Sequence, residues 1–498
     1  MCCHDHGLSR RAFVSLPGAL AASTGALAPG DGWDPGRPFE RRQKRLRVRP
    51  VLLYATPAPK KQTSWKSWGG VQTEAAAAEE LARINGEWAA LRKKAEFPLE
   101  MLPAAQAASV EAVAAIPREA DELRVVYPAT GSGAMLRAAM GEKHDALIFV
   151  RHRSGPVYYW YEALSTRYLR KTGVPYGTEG APRVSVEDVV VDDPRELLWR
   201  LRALCGVRTF VGTKILALGG TWGKYAPEAP KVAREKFGLE IIETGYEDFG
   251  KRMASALKDS GRMAQARAWT EQYLKLPGTR LETEREFVVN SFALYGVLKE
   301  LMREHGAEAF TIQSCMGTLM PLAETTACLT LGLMNDEGIP AFCESDFCVI
   351  PACLLLRAVC GQPVFLHNST FPHNGVVTCA HCTAPRRMDG VRYEPARVLT
   401  HYESEYGAAP KVEIPVGQEV TFVNPEYATC RWVGMKGVVE ANPFLPICRS
   451  QQDVRIQGDW KKLLNEVRDS HWVMAYGDWL KECGYAAERV GVKWESIG

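Results

Sequence analysis

After residue 28 the chain has no uninterrupted apolar run of about 18 residues, the length a helix needs to cross a bilayer, so no membrane span is expected in its body. Neither sign of charge dominates: 61 Lys and Arg stand against 58 Asp and Glu, a formal net charge of +3. The basic residues are spread out apart from the short stretch Arg41 to Arg49, whereas nucleic-acid binding needs a concentrated basic face, so no nucleic-acid partner is expected. Nucleotide-binding glycine patterns are missing too. Gly219-Gly220-Thr221-Trp222-Gly223 fits neither the dinucleotide fingerprint nor the P-loop spacing and reads as a tight strand-to-helix turn. The fourteen cysteines do not make a compact disulfide framework; the eleven from Cys315 to Cys483 fall mostly within apolar patterns and read as buried thiols. Cys379-Ala380-His381-Cys382 has the outline of a zinc or redox motif but lacks a second CxxC or a paired His at ligand spacing.

What is present is the composition of a globular protein, 46% hydrophobic and 24% charged. At 498 residues the chain exceeds one ordinary core, and roughly 100 to 200 residues per domain implies about three units. Residues 1–28 stand apart: Ser9-Arg10-Arg11-Ala12-Phe13-Val14, a moderately apolar stretch and Ala26-Leu27-Ala28 resemble a twin-arginine export signal with a small-residue cleavage site, implying a periplasmic destination. The alternative is a plain extension of a cytoplasmic protein, since Pro17 interrupts the apolar region. Cys2, Cys3, His4 and His6 would belong to this leader. Residues 29–44, rich in Gly, Pro and Arg without periodicity, read as a linker.

The spacing then predicts an N-terminal α/β domain over 45–208. Its strands are Leu46–Tyr54, Leu123–Tyr127 and the buried Ala146–Val150, and its helices are Thr73–Lys94, with Leu81, Ile84, Trp88 and Leu91 on one face, and Pro194–Leu204. A second α/β domain over 209–370 opens with strand Lys214–Leu218, a helix to Phe237 and strand Leu239–Glu243. It closes with Gly338–Glu344, an apolar helix over Phe347–Cys360 and strand Pro363–Asn368. In an open parallel sheet the carboxyl ends of adjacent strands face the same crevice, so Glu344 and Asn368 are expected to emerge near each other where ligands bind. From about residue 391 short alternating runs such as Val412–Val416, Glu419–Val423 and Val438–Glu440 predict a β-barrel or sandwich with two helices, within a β-rich domain over 371–498.

Five stretches in order, Leu333–Asp346 (LMNDEGIPAFCESD), His381-Cys382-Thr383-Ala384-Pro385, Thr400-His401-Tyr402, Cys448-Arg449-Ser450 and Ser470–Asp478 (SHWVMAYGD), resemble the L-fucose/L-arabinose isomerase group. The resemblance implies two Rossmann-like α/β domains followed by a β-barrel-like C-terminal domain, assembled as a homo-oligomer. It also implies aldose-ketose isomerisation of a monosaccharide through an enediol, with a divalent cation, commonly Mn²⁺, on two adjacent sugar oxygens and a base that moves the proton.

Carried over residue by residue, the resemblance implies that Glu344 is the first metal-binding carboxylate and His471 the C-terminal histidine ligand. The bland readings are a strand-end surface carboxylate for Glu344 and a residue that merely opens a barrel strand for His471. The family's second ligand, an Asp that also transfers the proton, falls on Asn368, which can ligate but cannot act as a base. His367, Asp346 or a hydroxide held by the cation would have to supply that function. His381 and His367 are expected at the sugar pocket, and His373 and His401 are further candidates that read equally well as surface-loop residues. The competing classes are a sugar-binding protein of the same fold that has lost isomerisation, motivated by Asn368 and by an export signal unusual for a central-metabolism enzyme, and a redox or zinc protein built on the cysteine-rich region.

Overall fold

Strand β1 (Leu46–Leu53) is buried along almost its whole length, Arg49 being paired with Glu122, and it pairs in parallel with β2 (Leu99–Met101), β3 (Ala105–Ala107) and β4 (Glu122–Pro128). Next to β4 come β5 (Ala146–Val150) and β6 (Val189–Val191), also parallel. Such two-sided burial is what a parallel sheet covered by helices requires. Pro50 falls in the gap where one edge of β1 passes from β2 to β3, a place at which a missing N–H is tolerated. The architecture comes from a computed structural model that describes residues 32–141, 144–158, 167–426, 430–466 and 469–498. The export-signal reading of residues 1–28 lies outside the described residues.

The helix Glu74–Lys94 begins where Thr73 caps it, the Thr73 hydroxyl accepting from the Ala76 N–H. It buries Ala77, Ile84, Trp88 and Leu91 against this sheet; a buried aromatic or aliphatic side chain contributes roughly 1.5–3 kcal/mol. Glu80 shares the buried face because Arg151 and Tyr158 bind its carboxylate at 2.5 and 2.6 Å.

A second parallel sheet has the order β11-β10-β7-β8, from β7 (Lys214–Leu218), β8 (Glu240–Thr244), β10 (Ala309–Ile312) and the two-residue β11 (Ala341–Phe342). The short strand β9 (Thr279–Leu281) joins a separate three-stranded sheet with β14 (Ala396–Leu399) and β15 (Ala409–Val412). Residues 32–44 form neither helix nor strand, yet Trp33 is buried against Phe292, Tyr273 and Trp269, and the Gln43 amide donates to Ala358 O.

Six antiparallel strands close on themselves as a barrel, in the order β16-β19-β12-β13-β18-β17 and back to β16. They are β12 (Phe365–Ser369), β13 (Val376–His381), β16 (Glu419–Glu426), β17 (Arg431–Ala441), β18 (Ser450–Gln457) and β19 (His471–Tyr476). β20 (Lys493–Ile497) adds in parallel to the free half of β17. The interior is filled by Phe365, Val377, Phe422, Met435, Trp472 and Met474.

One expectation is corrected here. The strand over Pro363–Asn368 does not extend the second parallel sheet; it is β12, the first barrel strand. Only two residues of β11 pair with β10, which leaves it little edge to offer, whereas the short link from Ser369 to Val376 returns the chain as an antiparallel neighbour. Leading into β12, the helix Ile350–Cys360 is buried along its whole length, packing on the helices Pro194–Phe210 and Leu480–Arg489.

Among the described residues no helix is long and apolar enough to cross a membrane, and none of the twelve cysteines described is in a disulfide, most of them being buried.

Candidate metal centre

Three strand ends of the second sheet feed one wall of a cavity of about 450 Å³. Trp222 and Lys224 come from the loop after β7, Gln313 to Gly317 follow β10, and Cys343 and Glu344 follow β11. The rest of the lining comes from the barrel strands through Asn368 and His381, from the β17–β18 link through Cys448, and from the loop after β14 through His401 and Glu403. A crevice at the carboxyl ends of parallel strands is the usual ligand site of an α/β sheet.

The turn that carries Glu344 is unusual. Glu344 and Ser345 both adopt left-handed backbone conformations, with φ of 66° and 48°. Non-glycine residues there cost on the order of 1–3 kcal/mol each and persist only where surrounding contacts enforce them. The enforcing contacts are main-chain: Trp222 N–H donates to Ser345 O at 3.1 Å, and Phe347 N–H donates to Trp222 O at 2.8 Å. The loops after β7 and β11 thereby lock each other and hold the Glu344 carboxylate toward the barrel.

On the barrel side, His471 opens β19 and His381 closes β13, the two strands that flank β12. Asn368 lies between them in register, opposite His471 on one side and Ala380 on the other. The Nε2 atoms of His471 and His381 lie 3.5 and 3.6 Å from the two Glu344 carboxylate oxygens. Those separations are long for hydrogen bonds and are the spacing kept by ligands of one cation. Burial raises the Glu344 pKa, but the facing imidazoles of His381 and His471 and the Lys224 ammonium outweigh it and bring the carboxyl down to about 2.

Behind His471 stands Asp346, fully buried, with Oδ2 2.6 Å from His471 Nδ1. Its Oδ1 accepts from the Lys224 and Cys348 N–H groups at 3.0 and 3.1 Å. Burial alone would raise the Asp346 pKa; the bond and charge of His471 and these two N–H donors hold it below the ordinary carboxylate value instead. In the neutral imidazole that a metal would require, an ionised Asp346 holds the remaining His471 proton on Nδ1 and leaves Nε2 turned to the cavity. That Nε2 is buried and has no hydrogen-bond partner, and an orphaned ring nitrogen aimed at a carboxylate is what a metal would satisfy. The His381 ring is held by Thr383 Oγ1, 3.0 Å from its Nδ1, which leaves Nε2 for the cavity. Glu344, His381 and His471 thus form a cluster fit for a divalent cation of the Mn²⁺, Fe²⁺ or Zn²⁺ type.

Of the residues singled out from the sequence, the fold brings Glu344, Asn368, His381, His401 and His471 to one cavity or its wall. His367 is corrected: it does not line the cavity. Side chains alternate along β12, so the phase that sends Asn368 outward sends His367 into the barrel among Phe365, Phe422 and Trp472. Burial there lowers its pKa to about 3, leaving a neutral core imidazole. His373 sits exposed on the β12–β13 link. Sequence reasoning missed Lys224 and Glu403, which carry no motif, and gave Asp346 a base role rather than its place behind His471. A carboxylate and an imidazole that lie 125 residues apart leave no local signal of their partnership.

Asp346→Asn should weaken metal affinity about 10- to 100-fold without unfolding the protein, because the amide can neither hold the Nδ1 proton as firmly nor keep the charge that makes Nε2 basic. Competition against a chromophoric chelator measures this, and unchanged affinity would show that Asp346 does not orient a ligand. No protein-family model matches the chain, and no curated protein matches it.

Proposed function

We propose that the chain is a metal-dependent aldose-ketose isomerase-like enzyme acting on a monosaccharide, built of two Rossmann-like α/β domains and a barrel and working as a homo-oligomer. The observation that carries this reading is the convergence of Glu344, His381 and His471 on the wall of a cavity large enough for a sugar, with His471 Nε2 buried and unpartnered. When bound, the cation supplies positive charge against which two adjacent sugar oxygens can carry developing negative charge.

The protein's own groups divide the remaining work. Glu344, ionised down to about pH 2, serves as a ligand and is a poor proton carrier near neutrality. Asn368 offers an amide that can donate to and accept from sugar hydroxyls but cannot take a proton. Asp346 is committed to His471, and His367 is sealed in the barrel. Among the residues lining the cavity, Glu403 is the acidic side chain left over, and we assign it the proton transfer between neighbouring sugar carbons. Lys224, from the loop after β7, lines the same cavity and can hold a substrate oxygen.

Asn368 favours a second reading, a sugar-binding protein of this fold in which isomerisation has been lost. Metal content together with solvent-deuterium uptake into a panel of aldoses and ketoses separates the two. One equivalent of metal dependent on Glu344 and carbon-bound deuterium in at least one sugar are expected. Metal and sugar binding without uptake selects the second reading, and a protein that cannot be loaded with metal rejects both.

A further inference from the structure

The same cavity holds a second set of donors that the isomerase reading does not use. Cys328 lies in the first turn of the helix Ala327–Asp336, Cys382 follows β13, His401 follows β14 and Cys448 precedes β18. Four separate stretches of chain therefore bring three thiols and an imidazole to one wall. The donor atoms of Cys328, Cys382 and His401 all lie within 4.8 Å of one another, and all three residues are buried. Cys448 packs on the same cluster, half-buried at the cavity surface.

The surroundings suit a thiolate site. The Arg449 N–H donates to Cys382 Sγ at 3.3 Å, so a main-chain dipole points at the sulfur, and the Arg449 guanidinium is held on Thr400 O at 2.7 Å beside His401. His401 is fixed by its main chain, whose N–H donates to Tyr406 O, and its Nδ1 lies 3.4 Å from Ser404 Oγ, which leaves Nε2 for another partner. The contrast with Cys353, Cys360 and Cys483 is direct, since those thiols are packed into the apolar core around the helices Ile350–Cys360 and Leu480–Arg489. A buried thiol is ordinarily a small apolar side chain. Two gathered with an imidazole, and a third packed beside them, offer instead the donor types of a closed tetrahedral soft-metal site.

We propose that Cys328, Cys382, Cys448 and His401 bind one Zn²⁺-class ion, distinct from the ion at Glu344, His381 and His471. Consecutive residues, His381 and Cys382, send their donors to the two different groups. The thiolate site would tie the helix Ala327–Asp336 to the loops after β13 and β14 and to the link before β18, and fix the wall that presents His381. It does not depend on what reaction the cavity performs.

Co²⁺ is the probe, added to the reduced full-length chain. The wild type and Glu344→Gln are both expected to show an intense sulfur-to-cobalt charge-transfer band, which one equivalent of Zn²⁺ abolishes. Cys382→Ser is expected to lose that band while still binding an ion through Glu344 and the histidines. Should Cys382→Ser fail to fold, His401→Asn keeps every thiol and is expected to give up its zinc at a chelator concentration about tenfold lower. Absence of the band in the wild type, with all thiols titrating as free, would show buried thiols only and overturn the proposal. A deficit of two thiols in protein kept under reducing conditions would overturn it as well, by revealing a disulfide in place of a metal.

Discussion

Glu344→Gln is expected to give a folded protein that neither retains a divalent cation at its own site through dialysis nor moves deuterium from solvent into any sugar. The substitution keeps shape and tolerates the left-handed backbone no worse than Glu does, so the turn held by Trp222 should survive. What it removes is charge. The wild-type carboxylate, ionised down to about pH 2, faces two imidazole Nε2 atoms at 3.5 and 3.6 Å, whereas the glutamine amide is neutral and presents hydrogens on one side. Loss of an orienting partner typically costs 10- to 100-fold in metal affinity, so loss of the ligand itself should exceed about 100-fold. Metal analysis after dialysis, compared with the wild type, is the direct check, and uptake should fall with it. Metal content equal to that of the wild type would show that the ion lies elsewhere, and the isomerase reading would lose its main support.

How much of the site is legible in the sequence depends on what kind of signal each residue leaves. Apolar runs such as Ile215–Leu218 and Ala146–Val150 announce buried parallel strands by themselves, and the alternation after residue 391 announces a barrel-like unit. Glu344 and His471 are reached through motif resemblance, and the fold then places them together at the cavity. What periodicity cannot supply is pairing. β12 looks like any apolar strand until its neighbours are known. Given the wrong neighbours, His367 is expected at the pocket, and Asn368 is reached by an argument from a sheet it does not join. The thiol cluster is invisible for a related reason. Its members are separated by 54, 19 and 47 residues and meet only because the barrel closes beside the helix Ala327–Asp336.

A second large effect is expected far from the cavity. Asp188→Ala should destabilise the protein by roughly 3–5 kcal/mol while leaving metal content unchanged, because it strands a buried charge. Asp188 is fully buried, and one of its oxygens receives both the Arg489 guanidinium and the Tyr485 hydroxyl. Its other oxygen accepts from the Ser185 N–H at 2.7 Å. Arg489 and Tyr485 belong to the last helix, Leu480–Arg489, which packs on Pro194–Phe210 and on Ile350–Cys360, so this ion pair fastens the end of the chain to the edge of the first sheet. Asp145, 3.8 Å from Arg489, takes up part of the lost interaction and places the cost toward the lower end of that range. Thermal unfolding followed by circular dichroism measures the loss, and the double variant Asp188→Leu with Arg489→Met tests its cause. If the penalty is the uncompensated guanidinium, removing both partners should recover most of the stability, since buried ion pairs replaced by apolar groups of similar size are often neutral. If the double variant is as unstable as the single one, the bonds from Asp188 to Ser185 and Tyr485 matter more than its charge. A fall in metal content in either variant would mean that docking of the last helix, acting through Ile350–Cys360, also sets the position of the Glu344 turn.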